Sequence, residues 1–295
     1  MNERLFRRWR LIYRILVFSV FLILAFVAKE SEASGGVVRI GVLANRGTEQ
    51  CLRAWQPTAD YLSRELKGFS FTIIPIGYDD IVPTVSGGDV DFILTNSANY
   101  IELEYAFGVN RIVTLKEEYG GRHFSRYGSV LFTRVDEKGI QGLEDLKGRS
   151  FMAVDEKSLG GWLMSWRELL ENDIDPYRDF DPLVFGKTHD EVIYAVRDGR
   201  VDVGTVRTGT LESLADSGAI SLGDFRILPP VHNVESPPPY LLTTREYPNW
   251  PMAKCSHTPD TLAEKVAVAL LAMDSQSAAA RAASYVGWTI PVSYT

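Results

Sequence analysis

The sequence predicts an α/β protein built as two lobes, with a ligand cleft and a hinge between them. Three observations carry this reading. Strand-like and helix-like segments alternate with short links, the pattern of sheets covered by helices. The series runs twice, before and after about residue 128, and each run has an ordinary lobe size of roughly 100 residues. A short phrase is also repeated: "GGDVDFILT" at 87–95 returns as "DGRVDVGTV" at 198–206.

The first series opens on "VVRIGVL" (37–43), an apolar run that reads as a buried strand. Trp55, Ala59, Leu62 and Leu66 then recur at helical spacing. "FSFTIIPI" (69–76) is rich in strand formers, and a short helix near 78–86 stops at Gly87-Gly88. "VDFILT" (90–95), a helix from 97 to 107 and "RIVTLK" (111–116) complete the series. Its order argues for a parallel sheet with helices on both faces.

The second series begins with "GSVLFTR" (128–134) and a helical turn at 142–148. "SFMAV" (150–154) is a strand, and Trp162, Trp166, Leu169 and Leu170 mark one face of a helix over 158–172. "LVF" (183–185), a helix carrying Val192, Ile193 and Val196, the strand "VDVGTV" (201–206) and a helix over 209–216 follow. After "FRILPP" (225–230), "SPPPY" (236–240) reads as an extended connector and "LLTT" (241–244) as a strand. "TLAEKVAVALLAM" (261–273) is an amphipathic helix. The expected division is lobe 1 over 34–127, lobe 2 over 128–231, and a return to lobe 1 over 232–295.

Residues 1–33 stand apart. Five arginines precede an uncharged apolar run at 15–28, and Ser31-Glu32-Ala33 offers a small-x-small cleavage site. This is the layout of a secretory signal peptide, or of a membrane anchor if it is retained. Either reading places the chain in the periplasm or another extracytoplasmic space. Residues 1–33 hold six basic and three acidic side chains, so without them the net charge of −7 becomes −10. An acidic domain is a poor nucleic-acid partner, although a local site can still hold an anion.

The repeated phrase ends where ligands bind in open α/β sheets, at the carboxyl ends of strands facing helix N-termini. It is followed by Asn96 and Ser97 in the first copy and by Arg207 and Thr208 in the second. Asn96 is a helix cap by its residue type and a cleft residue by its position. Arg207 offers a bidentate clamp for an oxoanion; the alternative is a surface ion pair with Glu212. Asn45, in the loop after the first strand, faces the same end, and Tyr100 lies one turn into the helix after Ser97. His189, after a capping Thr188, is a donor whose charge would respond near neutral pH. Ser158, Gly160 and Gly161 form a helix start with bare backbone N–H groups. Trp162 is read as a cleft wall and Trp166 as core. Arg126 at the lobe crossing and Tyr78 are weaker candidates. Asp91 and Asp202 begin strands at the far end and read as structural.

No Cys/His spacing resembles a zinc site, no cofactor is implied, and no GxSxG, HExxH, Cys–His–Asn or Walker motif is present. An oxidising compartment permits a disulfide between Cys51 and Cys255; two separate buried thiols are the alternative.

"VRIGVLANRGTEQCLRAWQPTADYLSREL", "GGDVDFILTNSANYIELE" and "KTHDEVIYAVRDGRVDVGTVRTGTLE" resemble the phosphate/phosphite/phosphonate-type periplasmic binding proteins. "SLGGWLMSWREL", "YPNWPMAK" and "GWTIPVSY" resemble the branch serving as sensor domains of two-component histidine kinases, tetrathionate sensors included. The resemblance implies a type II-like periplasmic-binding-protein fold and a non-enzymatic domain. It also implies a small anionic ligand and a partner that is a histidine-kinase module or an ABC permease. Transport-type phosphonate binders carry a Ser-Thr-Ser-Gly pattern where this chain has Ser158-Leu159-Gly160-Gly161, so two hydroxyls are absent.

Overall fold

A computed structural model describes residues 36–230 and 238–293. The expected export segment and part of the proline-rich connector lie outside these residues. The strands are β1 (Val37–Leu43), β2 (Ser70–Ile76), β3 (Phe92–Leu94), β4 (Asn110–Tyr119), β5 (Arg122–Phe124), β6 (Arg126–Tyr127) and β7 (Ser129–Arg134), then β8 (Phe151–Ala153), β9 (Leu183–Phe185), β10 (Val203–Arg207), β11 (Phe225–Ile227), β12 (Tyr247–Pro248), β13 (Pro251–Lys254) and β14 (Gly287–Thr289). The α-helices are α1 (Thr48–Glu65), α2 (Ile81–Ser86), α3 (Ser97–Phe107), α4 (Met164–Glu171), α5 (Pro176–Asp179), α6 (His189–Arg197), α7 (Thr210–Asp216), α8 (Asp260–Leu271) and α9 (Ala278–Ala282).

Two sheets form two lobes. Lobe 1 has the order β14-β4-β13-β3-β1-β2, with β5 paired to β4; lobe 2 has β11-β7-β10-β8-β9. Both sheets are mixed, which corrects the all-parallel expectation. In lobe 1, β1 runs parallel to β2 and β3, while β13 returns antiparallel between β3 and β4. In lobe 2, β8, β9 and β10 are parallel, and β7 pairs antiparallel with β10. Two of the strands that break the parallel pattern, β7 and β13, follow directly on the crossings at which the chain enters a lobe. Between the lobes, β6 and β12 pair as a two-stranded ribbon.

The stretch 241–244 is not a strand. It is tied to β7 through threonine side chains: Leu131 N–H donates to Thr243 Oγ1 at 3.1 Å and Ser129 N–H to Thr244 Oγ1 at 2.9 Å. Thr243 N–H also donates to Ser129 O at 2.9 Å, so hydroxyl acceptors supplement a short backbone pairing beside the hinge. Arg245 then bonds the buried carboxylate of Glu168 on α4 at 2.9 Å.

The repeated phrase has a repeated structural task. Asp91 Oδ2 accepts Arg39 N–H at 2.7 Å, and Asp91 N–H donates to Arg39 O at 2.9 Å. Asp202 Oδ2 accepts Ser150 N–H at 3.0 Å, and Asp202 N–H donates to Ser150 O at 3.2 Å. Each aspartate bolts the start of its strand to the neighbouring strand, away from the cleft. The glycines before them, Gly88 and Gly199, take left-handed turns with φ of 72° and 69°.

Cys51 and Cys255 are separate buried thiols, the second of the two alternatives the sequence allows, and not a disulfide. Cys51 lies beside Val42 near the end of β1, whereas Cys255 N–H bonds Asp91 O at the strand starts. The two cysteines therefore belong to opposite ends of the lobe 1 sheet. Burial pushes both thiols up to about 12.

Candidate functional site

The lobes face each other across the carboxyl ends of β1 and β10, and a series of contacts spans the gap. His189 N–H donates to Asn45 O at 3.3 Å, and Tyr78 OH donates to Ser158 Oγ at 3.0 Å. Arg46 forks onto Asp190 at 2.7 and 3.0 Å, and Lys157 meets Asp79 at 2.9 Å. A cavity of about 580 Å³ lies at this interface. Asn45, Arg46, Trp55, Glu117, Tyr119 and Trp250 line it from lobe 1, and Arg207, Glu212, Ser213 and Asp216 from lobe 2.

Arg207 is the centre of the arrangement. Its two Nη atoms donate to both oxygens of Glu117 at 2.9 and 2.8 Å, and Nη2 also donates to Asn249 Oδ1 at 3.0 Å. Asn249 Nδ2 donates in turn to Glu117 Oε2 at 3.0 Å. The guanidinium lies over the Tyr127 ring, 4.4 Å from its centroid, at a distance typical of a cation–π contact. Its partner is therefore Glu117, not Glu212. Although burial opposes it, the carboxylate holds the arginine pKa above its ordinary value.

The glycine turn packs against the same arginine. Residues 159–163 form one π-helical turn capped by Ser158, whose Oγ accepts Gly161 N–H at 3.1 Å. A β-carbon on Gly160 would meet the Tyr127 ring at 2.8 Å and Arg207 Cβ at 3.0 Å. One on Gly161 would meet Val154 Cγ2 at 2.3 Å. The glycines thus permit close packing around Arg207.

Several expected ligand residues have internal tasks. Trp162 is fully buried and stacks on Trp166 at 5.7 Å, so it is lobe 2 core and not a cleft wall. Tyr100 is buried in lobe 1, where its hydroxyl bonds Glu104 at 2.6 Å. Helical spacing carried both residues inward. Asn96 caps α3, its Oδ1 accepting from Ala98 N–H and Asn99 N–H at 3.0 Å each. Ser97 Oγ donates to Pro248 O in the crossing ribbon. Thr208 pairs with Gly128 across the same crossing, its N–H donating to Gly128 O at 3.0 Å. Arg126 is exposed and braces the ribbon by donating to Glu246 O at 2.8 Å.

His189 differs from expectation in its electrostatics. Its Nδ1 accepts Arg207 N–H at 3.2 Å. Burial, then the charges of Arg207 and Arg46, lower its pKa to about 3. It is a neutral acceptor at physiological pH and not a switch.

Glu117, Asn249, Tyr119 and Trp250 were missed from the sequence. For Glu117 a signal existed: Val113, Leu115 and Glu117 share one face of β4 by the period of two, and all three are buried. A carboxylate that continues an apolar face needs a partner, which is what Arg207 provides.

Among the described residues there is no cluster of three His, Cys, Asp or Glu side chains placed to hold a metal. Nor is any described helix long and apolar enough to cross a membrane.

Comparison with known proteins gives this geometry a family. The chain is 33% identical over 239 residues to the tetrathionate sensor histidine kinase TtrS of Salmonella typhimurium, a match covering 81% of this chain and 40% of that one. The chain spans less than half the length of the curated relatives it matches. Among solved structures, a binding-protein component of a phosphonate ABC transporter from Pseudomonas aeruginosa superposes with a TM-score of 0.71 at 18% identity, over 87% of this chain and 82% of that one. PhnD1 of Prochlorococcus marinus in complex with methylphosphonate gives 0.68 at 14% identity, over 86% and 92%. These two show a shared fold, the two-lobed type II periplasmic-binding-protein fold. The family described as ABC transporter, phosphonate, periplasmic substrate-binding protein matches residues 40–293; the chain belongs to this family of solute-binding proteins, not to a family of enzymes.

Proposed function

We propose that the chain captures a small oxoanion between its lobes and presents the closed form to a membrane partner. The observation that carries this reading is the interlobe cavity of about 580 Å³ with Arg46 and Arg207 in its wall. An arginine fork matches the two-oxygen edge of a phosphonate, phosphate or sulfur oxoanion. The candidate contacts are Arg207 and Asn45, which line the cavity, with Tyr78, Asn96, Ser97, Ser158, Gly160, Gly161, His189 and Thr208 shaping their surroundings.

Delivery to an ABC permease is the reading favoured by the family match over 40–293 and by the fold shared with a phosphonate transporter component. A specific observation favours a second reading, sensing for a histidine kinase: the 33% identity to a tetrathionate sensor. Genes for a permease and an ATPase beside this one support uptake, and a kinase reading frame supports sensing.

The binding claim is tested by thermal shift of the purified protein against methylphosphonate, phosphate, phosphite, sulfate and tetrathionate. A ligand at 100 times its Kd stabilises by about 2.7 kcal/mol, a shift of several degrees. One or more of these anions is expected to give it. A panel in which neutral or cationic solutes shift the protein and no oxoanion does would overturn the reading.

A further inference from the structure

We propose that Glu117 is the cleft's resident ligand. Its carboxylate occupies the seat on Arg207 that an external oxoanion takes, so that binding is an exchange and not an addition. The inference rests on the anion reading above and deepens it.

The geometry is that of arginine holding an anion. Two parallel N–H···O bonds of 2.9 and 2.8 Å join the fork to both carboxylate oxygens. The two groups belong to different lobes: Glu117 ends the buried face of β4, and Arg207 ends β10. Among the described residues, the pair is also more enclosed than the other two ion pairs that join the cleft faces. Arg207 and Glu117 side chains are 15% and 11% exposed, against 24% and 29% for Arg46–Asp190 and 50% and 78% for Lys157–Asp79. Less water means less screening of the attraction between these two charges than in the other pairs.

The seat is not fully used. Arg207 Nε is buried and has no hydrogen-bond partner. A carboxylate has two oxygens, and both are engaged by Nη atoms. An oxoanion that takes the arginine side-on, through Nε and one Nη, satisfies this donor, which is costly to leave unmade. Both members of the pair line the cavity, so an incoming anion reaches the fork directly. Glu117 thereby acts as a specificity-determining residue: a solute that cannot compete with a carboxylate for the fork leaves it in place.

Removing the charge at Glu117 strands a buried guanidinium, which an external anion then relieves. The test uses Glu117→Gln and two measurements. Spin labels at exposed positions, Tyr105→Cys on lobe 1 and Val135→Cys on lobe 2, report the lobe separation without added ligand; Cys51 and Cys255 are buried and escape labelling. Titration with inorganic phosphate and methylphosphonate reports affinity. Glu117→Gln is expected to lengthen or broaden the distance distribution and to bind at least one of the two anions at least tenfold tighter than the parent protein. A variant that stays closed with unchanged affinity overturns the exchange and leaves the anion reading standing. A variant that opens while neither protein binds either anion overturns the exchange, and the anion reading falls with it only when the full oxoanion panel also fails. Should Glu117→Gln fail to fold, Glu117→Asp, which keeps the charge but shortens the reach, is expected to bind more tightly than the parent; equal or weaker binding overturns the proposal.

Discussion

His189 shows how one side chain's surroundings set a property of the whole protein. Its ring is enclosed between Arg207, whose N–H it accepts, and the Arg46 side, and its pKa falls to about 3. In the unfolded chain the same ring titrates near 6.5. Between those values the unfolded state binds the extra proton, so this contribution to stability is complete above about pH 6.5. It is lost as pH falls toward 3, at up to about 1.4 kcal/mol per pH unit, and no further below that. His189→Asn keeps an acceptor and does not titrate. Its urea midpoint, followed from pH 7 to pH 4, should fall less steeply than that of the parent; an equal slope would contradict the assignment. The sequence reading had made His189 a neutral-pH switch because it carries only the residue type. The shift comes first from burial in the folded protein and then from two arginines at least 18 positions away in the chain.

At the scale of elements, the turn at Leu159–Leu163 is the segment that most constrains the site. It places Gly160 against Arg207 and Tyr127, and Gly161 against Val154. Gly161→Ala forces a β-carbon to within 2.3 Å of Val154 Cγ2, so the strand end or the turn must move. Overpacking of this kind costs roughly 1–3 kcal/mol, which a denaturant midpoint measures; a variant as stable as the parent would show that the turn is not held against β8.

Elements were legible in the sequence where a period repeated. The strands at 37–43, 70–76 and 203–207 and the helix at 97–107 follow from runs of apolar residues and their caps. What periodicity could not give was which apolar-face residue also faces the other lobe. Trp162 and Tyr100 were assigned to the cleft and are core, while Glu117 continues a buried strand face and reaches the cleft. The failed strand at 241–244 has a related cause. Two threonines meet β7 with hydroxyls beside bonds to the single carbonyl of Ser129, a pattern that β-propensity alone does not separate from a regular ladder.

For the whole molecule, the repeated phrase was the most informative stretch. Two copies of strand and turn, each started by an aspartate bolted to the neighbouring strand, give two similar sheets facing one another. The crossing at β6 and β12 joins them, and the side chains around Arg207 join them again across the cleft. The relation between the halves was readable because it is written in local sequence. The pairing of Arg207 with Glu117 and Asn249 was not, because its members lie 90 and 42 positions apart.

The central claim is that an anion is held at Arg207 between the lobes. The most direct measurement is calorimetric titration of the tightest oxoanion into the parent and into Arg207→Ala combined with Glu117→Gln, which removes both charges and leaves neither stranded. The folded double variant should lose affinity by about 100-fold, or about 2.7 kcal/mol. Binding by that variant as tight as the parent's would contradict the account.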